Sequence, residues 1–207
     1  MLRTDLKESS NSVLEGRVKM GKLVLVVHIS LDGFVAGLKG ELDGFEPDEE
    51  NLQFVCSLTE NADTALFGRI SYQLLNRYWP TASLRPNATK GEITYSNWYN
   101  GAKKIVISKT MTAENLDNTT VISKNLLDEI VRIKEQAEKN ILIFGSPTVS
   151  QLLMQHNLID SYWIFVNPIM FGQGIPLFTD LSHKIELNLV TTRKFRNGEI
   201  ALNYEKK

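Results

Sequence analysis

Residues 140–153, NILIFGSPTVSQLL, contain a short apolar run, a turn and the beginning of a helical pattern. The apolar run stops at Gly145, Ser146 is a favourable N-cap residue, and Pro147 suits the first helical position. A helix start exposes backbone N–H groups and a partial positive charge. The turn is therefore either an ordinary cap or a helix start kept open for an anion such as a phosphate, and glycine would let that ligand approach closely.

The composition is that of a globular protein and excludes several classes of function. The chain has 207 residues, 43% of them hydrophobic and 23% charged, with a formal net charge of -1. This balance gives no general attraction to nucleic acid or to acidic membranes. Cys56 is the only cysteine, and the three histidines are scattered, so we predict no metal site.

The N-terminal residues are predicted not to belong to the folded domain. Residues 1–19 are polar and lack the apolar core of a signal peptide, so we expect a disordered extension on a cytoplasmic protein. No stretch is long and apolar enough to cross a membrane. Residues 20–207 are predicted to form a single domain.

Apolar runs alternate with helical patterns along most of the chain. Such an order is typical of a mostly parallel sheet with helices on both faces. The last part, residues 185–205, reads as an antiparallel hairpin joined by a two-residue turn at Asn197 and Gly198. The other predicted strands are residues 22–30, 62–68, 103–108, 119–123, 140–144 and 159–167.

The segment 81–101 is polar and irregular, and we expect a long loop with at most one helical turn. Trp79, Tyr95 and Trp98 lie in or next to it. Their rings are candidates for stacking on a substrate, although such residues more often belong to ordinary packing.

In parallel sheets, ligands bind beyond the carboxyl ends of the strands. This rule points to the loop after Ser30, to the turn at Gly68 and Arg69, and to the turn at Gly145. Arg69 offers a guanidinium for a phosphate, or is a surface arginine beside a glycine turn. Ser71 adds a hydroxyl two residues later.

Two further segments have open interpretations. Ser108 and Lys109 end a strand at the same edge, where the lysine either faces an adenosine or is solvated. Gly172 and Gly174 flank Gln173 without the spacing of a dinucleotide-binding fingerprint. They indicate either a bulge or a close approach of backbone to a flat cofactor ring.

Three stretches together resemble a known family. SLDGFVA (30–36), LFGRISYQ (66–73) and the block from IFGSPTV to GIPLF (143–178) are similar to dihydrofolate-reductase-like proteins of the bacterial riboflavin-biosynthesis RibD C-terminal-domain type. The resemblance implies a three-layer α/β/α fold, NADPH as the hydride donor and a small heterocyclic substrate. It also adds weight to a homodimer.

The resemblance assigns roles to residues of this chain. Gly68, Arg69 and Ser71 correspond to the family's turn at the 2′-phosphate of NADPH, with serine in place of threonine. The glycine turn at the pyrophosphate corresponds to Gly145 and Ser146. The remaining residues of the expected cofactor site are Ser108, Lys109, Thr148, Val149 and Gly172.

The proton donor is less well defined by this resemblance. Dihydrofolate reductases have an acidic residue in the first helix and a Met-Pro-Trp segment that is absent here. Asp48 falls near the acidic position and is equally well explained as an N-cap. Asp32 is expected to fix the loop over the nicotinamide.

Three functions follow as hypotheses. The first is an NADPH-dependent reductase of a pteridine-, pyrimidine- or flavin-like substrate. The second is a stand-alone 5-amino-6-(ribosylamino)uracil phosphate reductase, since the chain lacks the H-x-E and P-C-x-x-C signatures of a deaminase half. The third is a dinucleotide-binding protein without catalysis.

Overall fold

The computed structural model describes residues 21–45, 48–112, 116–179 and 181–207. The expected N-terminal extension lies outside these residues. No helix among the described residues has the length and hydrophobicity needed to cross a membrane.

An eight-stranded sheet forms the centre of the fold. Its strand order is β5-β4-β3-β6-β1-β7-β10-β9, and only β10 runs antiparallel to its two neighbours. A separate two-stranded sheet pairs β2 with β8. The strands are β1 (Leu23–Ser30), β2 (Phe34–Ala36), β3 (Ala62–Gly68), β4 (Lys103–Ile107), β5 (Thr119–Ile122), β6 (Asn140–Phe144), β7 (Ser161–Asn167), β8 (Ile175–Pro176), β9 (Leu187–Lys194) and β10 (Ile200–Lys206).

Helices cover both faces of the sheet because the central strands are apolar on both sides. In β1, Leu25 and Val27 pack on one face, and Val24 and Val26 pack on the other. The first face holds α5 and α6, and the second holds α1, α2 and α4. The helices are α1 (Glu49–Thr59), α2 (Arg69–Asn76), α3 (Trp79–Ala82), α4 (Lys90–Gly101), α5 (Leu126–Gln136) and α6 (Pro147–Gln155). The predicted three-layer α/β fold is confirmed.

The prediction of a long loop over residues 81–101 is wrong. Thr89 and Glu92 form a capping box that starts α4, and this signal outweighs the polar composition. Tyr95 is only 3% exposed, and Trp79 packs against its ring with centroids 4.3 Å apart. Trp98 donates its indole N–H to the carbonyl of Ala62 at 2.8 Å. The expected stacking on a substrate is therefore wrong for Tyr95, and the two tryptophans belong to the same packed cluster.

The C-terminal hairpin is confirmed, but its turn differs from the expected two-residue one. The Gly198 amide donates to the Phe195 carbonyl, and the Phe195 amide donates to the Glu199 carbonyl. With φ of +89° at Gly198, the connection is a three-residue loop ending in a glycine bulge. The Glu199 side chain that follows this loop is fully buried, on the same side as Ala201 and Asn203.

Candidate functional site at the carboxyl edge of the sheet

The structure brings three of the predicted turns to one edge of the sheet. Strands β3, β6 and β1 are consecutive neighbours and run parallel, so their carboxyl ends share that edge. The turn at Gly68, the turn at Gly145 and the loop after Ser30 follow these ends. Ser108 and Lys109 follow β4, the parallel neighbour of β3. The helices that follow β3 and β6 lie on opposite faces, so their starts flank this edge from both sides.

Hydrogen bonds join the turns at Gly68 and Gly145 directly. The Oγ of Ser146 accepts from the amide of Gly68 and donates to the Oγ of Ser71 at 2.9 Å. The Ser71 Oγ also accepts from the amide of Ser146, at 3.1 Å. Ser71 thus accepts twice, which leaves its own hydroxyl proton for another acceptor.

Ser146 occupies the N-cap position of α6, but its side chain does not cap the helix. Its backbone is left-handed, with φ of +52°, and its hydroxyl points to the neighbouring turn instead. Capping by Ser146 was therefore the wrong explanation of this turn. The sequence shows a favourable cap residue, but in the fold the Ser146 hydroxyl bonds instead to the Gly68 amide and the Ser71 hydroxyl of the turn after the neighbouring strand β3.

The helix starts at this edge differ from those of α1 and α4. Neither α2 nor α6 has a side-chain cap or an acidic residue in its first turn. By contrast, Asp48 caps α1 by accepting from the Asn51 amide at 2.9 Å, and a capping box closes α4. The first turns of α2 and α6 therefore have amide groups without an intrahelical partner, although Pro147 contributes none. Uncapped helix starts of this kind favour an anionic ligand.

Charged groups near these helix starts are accessible. Arg69 is exposed, and its guanidinium contacts only the Gln73 side chain among the described residues, at 3.2 Å. Lys109 is also exposed. The Ser108 Oγ accepts from the amides of Thr110 and Met111, so it organises its own loop.

The two residues after Pro147 contribute unequally. Thr148 is exposed at the first turn of α6, whereas the Val149 side chain is buried in the core. Val149 is thus able to offer only its backbone to a ligand.

Gly68 and Gly145 lie at this edge, and a side chain would meet different surroundings at each of them. A Cβ on Gly68 would lie 2.8 Å from the Ser146 Oγ, so this glycine makes room for the adjacent turn rather than for a ligand. A Cβ on Gly145 would meet only the Ser71 Oγ, at 3.7 Å, and the space beside it is open. Gly145 also has φ of +57°, which favours glycine.

Gly172 and Gly174 also serve separate purposes. Gly172 has φ of +70° and nothing within 4 Å of an added Cβ, so it stands at an open position. A Cβ on Gly174 would lie 2.3 Å from the Ala36 carbonyl oxygen. The close approach at Gly174 is therefore to the backbone of β2.

Asp32 connects two loops. Its carboxylate accepts from the Ser30 hydroxyl at 2.6 Å and from the amides of Phe171 and Gly172 at 3.1 and 2.7 Å. The Ser30 hydroxyl, followed by the two amides, lowers the pKa of Asp32. The carboxylate is thus an acceptor that holds the loop after β1 to the loop after β7.

A buried polar cluster, which sequence reasoning missed, lies beside β1. We define the Glu199 cluster as His28, Asn51, Asn167 and Glu199. Asn51 donates to one carboxylate oxygen of Glu199, and Asn167 donates to the other at 3.4 Å. The Nδ1 atom of His28 lies 2.7 Å from that second oxygen, at an angle outside hydrogen-bond geometry. The only sequence signal was a histidine within the apolar run of β1.

The strand order and the helices on both faces of the sheet define a dihydrofolate-reductase-like fold. A sequence model described as the RibD C-terminal domain matches residues 21–201, and the chain belongs to that family.

Three known proteins illustrate the relationship. The chain is 29% identical over 196 residues to the uncharacterised protein YyaP of Bacillus subtilis (strain 168), covering 92% of this chain and 98% of YyaP. A provisionally named riboflavin biosynthesis protein of Shewanella sp. PV-4 superimposes with a TM-score of 0.68 and 22% identity, covering 90% of this chain and 99% of that one. Dihydrofolate reductase of Enterococcus faecalis, solved with NADP(H) and RAB-propyl, superimposes with a TM-score of 0.61 and 15% identity, covering 91% of this chain and 98% of that one.

Proposed function

We propose that this protein is an NADPH-dependent reductase that transfers a hydride to a small heterocyclic substrate of pteridine, pyrimidine or flavin type. The observation that carries the proposal is the pair of uncapped helix starts, joined through Ser71 and Ser146, with the exposed guanidinium of Arg69 in the first turn of α2. We expect it to act in the cytoplasm as a homodimer.

The residues at the edge fit a dinucleotide with an additional phosphate. The first turns of α2 and α6 offer backbone N–H groups, and the Ser71 hydroxyl has a proton left to donate. Open space beside Gly145 admits a diphosphate. Arg69 supplies a fixed charge for a 2′-phosphate, and Lys109 adds a second cation on the side of β4. When bound, the reduced nicotinamide supplies the hydride, and the protein orients it and excludes water.

Asp32 is assigned a supporting role in this proposal. Its bonds to the amides of Phe171 and Gly172 hold two loops together at the end of β1, on the substrate side of the edge. We keep it as a residue that positions the loop and not as a proton donor, because its lowered pKa favours the ionised form.

A second candidate is the stand-alone 5-amino-6-(ribosylamino)uracil phosphate reductase. Membership of the RibD C-terminal domain family favours it. Turnover of this aminouracil phosphate, in preference to pterins and flavins, would select it over the broader proposal. A third outcome, binding of NADPH without oxidation of it in the presence of any of these compounds, would indicate a non-catalytic binding protein.

The deciding experiment compares Arg69→Ala with Arg77→Ala. Arg77 is an exposed arginine at the other end of α2, so it controls for the loss of one positive charge from the same helix. Loss of a charge-assisted contact costs about 1.5–3 kcal/mol, so Arg69→Ala is expected to weaken NADPH binding roughly 10- to 150-fold. NADH binding by the same variant and both affinities of Arg77→Ala are expected to change by less than about threefold.

Calorimetric titration of each protein with NADPH and NADH measures these affinities. An equal loss for the two cofactors in Arg69→Ala would contradict the assigned role of the guanidinium. Absence of NADPH binding by the unmodified protein would contradict the proposed function itself.

A further inference from the structure

The Glu199 cluster places an acid–base pair on the substrate side of the candidate site. His28 follows Val26 on the same face of β1, and the Val26 carbonyl accepts from the Gly145 amide at 3.3 Å. Two residues of strand advance the chain by about 6–7 Å. His28 therefore lies one side chain further along β1 than the turn that we assign to the diphosphate.

The two members of the pair differ in accessibility. Glu199 is fully buried, whereas the His28 side chain is 29% exposed. The Nδ1 atom of His28 is buried against Glu199. Its Nε2 atom has no hydrogen-bond partner among the described residues and is not buried, so it faces accessible space.

The position of the histidine ring is fixed from several sides. The ring stacks on Phe165 with centroids 4.6 Å apart. Asn51 from α1 and Asn167 from β7 hold the Glu199 carboxylate. A buried carboxylate close to one ring nitrogen favours, through its charge, the tautomer with the proton on that nitrogen, and leaves the other nitrogen for proton transfer.

The surroundings suit a flat ring. Phe45 lies next to His28 with ring centroids 6.4 Å apart, and Phe171 lies next to Phe45 at 5.3 Å. Both phenylalanines are partly exposed and come from different loops. They provide an apolar wall for a planar heterocycle beside the imidazole.

We infer that His28 is the catalytic acid of this reductase, acting through Nε2 on a ring nitrogen of the substrate, and that Glu199 is its positioning residue. The inference rests on the proposed function and deepens it, because it specifies a substrate with a C=N bond in a planar ring.

The proton balance explains why such a group is needed. Reduction of C=N to CH–NH adds a hydride to carbon and a proton to nitrogen. As the hydride from the reduced nicotinamide forms the new C–H bond, the π pair moves onto nitrogen and takes the Nε2 proton of the imidazolium. The neutral imidazole keeps its Nδ1 proton towards Glu199 and regains the other from water.

The kinetic test uses His28→Gln, with His156→Gln as the matched control. His156 is an exposed histidine at the end of α6. Each protein is assayed for NADPH oxidation with 6-methyl-7,8-dihydropterin, riboflavin and the aminouracil phosphate. We expect His28→Gln to lower kcat on the order of 10²- to 10⁴-fold on the best of these compounds, with NADPH affinity within about threefold of the unmodified protein. His156→Gln is expected to stay within about twofold for both quantities.

A second readout needs no cofactor. In ¹⁵N-histidine NMR spectra of the unmodified full chain, neutral His28 is expected to have its proton on Nδ1 and a free lone pair on Nε2. In Glu199→Gln the side-chain amide can donate to Nδ1, and we expect the proton to move to Nε2 and kcat to fall at least about tenfold. A merely structural role for Glu199 would lower the melting temperature without changing the tautomer.

The outcomes separate this inference from the proposed function. If the protein reduces one of the compounds and His28→Gln does so at the unmodified rate, or if Asp48→Asn abolishes turnover instead, the inference is overturned and the reductase stands. An Nδ1 atom without a proton in neutral His28 also overturns it. If the unmodified protein binds no NADPH or reduces none of the three compounds, the proposed function fails and the inference fails with it.

Discussion

The Glu199 cluster makes a quantitative prediction about stability. Glu199 and Glu205 both lie in the C-terminal hairpin, and the carboxylate of each lies close to one basic side chain. Glu199 lies 2.7 Å from His28, and Glu205 lies 2.6 Å from Lys22. Glu199 is fully buried, whereas Glu205 and Lys22 are 40% and 45% exposed. The two variants therefore compare a carboxylate beside a basic side chain in the buried interior with one at the exposed surface.

Replacement of each glutamate by alanine should have very different costs. Glu199→Ala leaves the Asn51 amide without this acceptor and the His28 Nδ1 atom without its neighbouring carboxylate, while Asn167 still donates to the Ile29 and Phe165 carbonyls. Removing one partner of such a buried pair costs about 3–5 kcal/mol. Glu205→Ala removes a solvated pair worth about 0–1 kcal/mol. In a domain of this size about 1 kcal/mol shifts the melting temperature by roughly 2–4 °C, so we expect losses of roughly 6–20 °C and below about 4 °C, respectively.

Equilibrium unfolding in guanidinium chloride, followed by tryptophan fluorescence on the full chain, measures the two free energies. The midpoint of Glu199→Ala should fall well below that of Glu205→Ala at a similar slope with denaturant. Equal losses for the two variants, or a loss below about 1 kcal/mol for Glu199→Ala, would refute the reasoning that burial makes this carboxylate indispensable.

Two further predictions concern the junction of the turns and the core. Ser71→Ala removes the acceptor of the Ser146 amide and hydroxyl, so we expect a loss of about 1–3 kcal/mol of unfolding free energy. The exposed Ser57→Ala should lose less than about 0.5 kcal/mol. Chemical denaturation measures both losses, and an unchanged unfolding free energy in Ser71→Ala would contradict the stabilising role of the bonds between the two turns. Burial, followed by the charge of Asp160, raises the pKa of Tyr162 from 10.0 to about 12, so the contribution of Tyr162 to the unfolding free energy should fall by about 2–3 kcal/mol as pH rises from about 10 to 12, because the unfolded phenol ionises first; buried Tyr95 and Tyr99, whose pKa values are also raised, add to the total alkaline loss. A Tyr162→Phe variant that shows the same alkaline loss would contradict this assignment.

The alternating pattern was sufficient to predict the layered fold. β1 and β6 are apolar on both faces because helices cover both sides, and this is visible as continuous apolar runs. The turns at Gly68 and Gly145 were located for the same reason, since each strand ends abruptly in a glycine before a helix. Segment 81–101 was misread because its polar residues dominate the composition, whereas the capping box and the buried aromatic face determine the structure.

Contacts between distant segments could not be predicted from the sequence. The Ser146 hydroxyl bonds to Gly68 instead of capping its own helix, and the choice depends on β3 lying beside β6. Likewise, nothing in the sequence indicated that Glu199 is buried. It lies on the buried side of the hairpin with Ala201 and Asn203, and its partner His28 comes from the opposite end of the chain. Roles of Arg69, Asp48 and Asp32 towards a ligand stay predictions.

The position of β1 in the middle of the sheet has a consequence for synthesis on the ribosome. Leu23 pairs with Ile141 of β6, and Val24 pairs with Ser161 of β7, so both neighbours of β1 are made long after it. With elongation at about 5–20 residues per second, β1 waits on the order of ten seconds as an unpaired, aliphatic segment. Nascent chains stalled before β7 should therefore be the forms most dependent on chaperones, because their most hydrophobic strand has emerged without one of its partners.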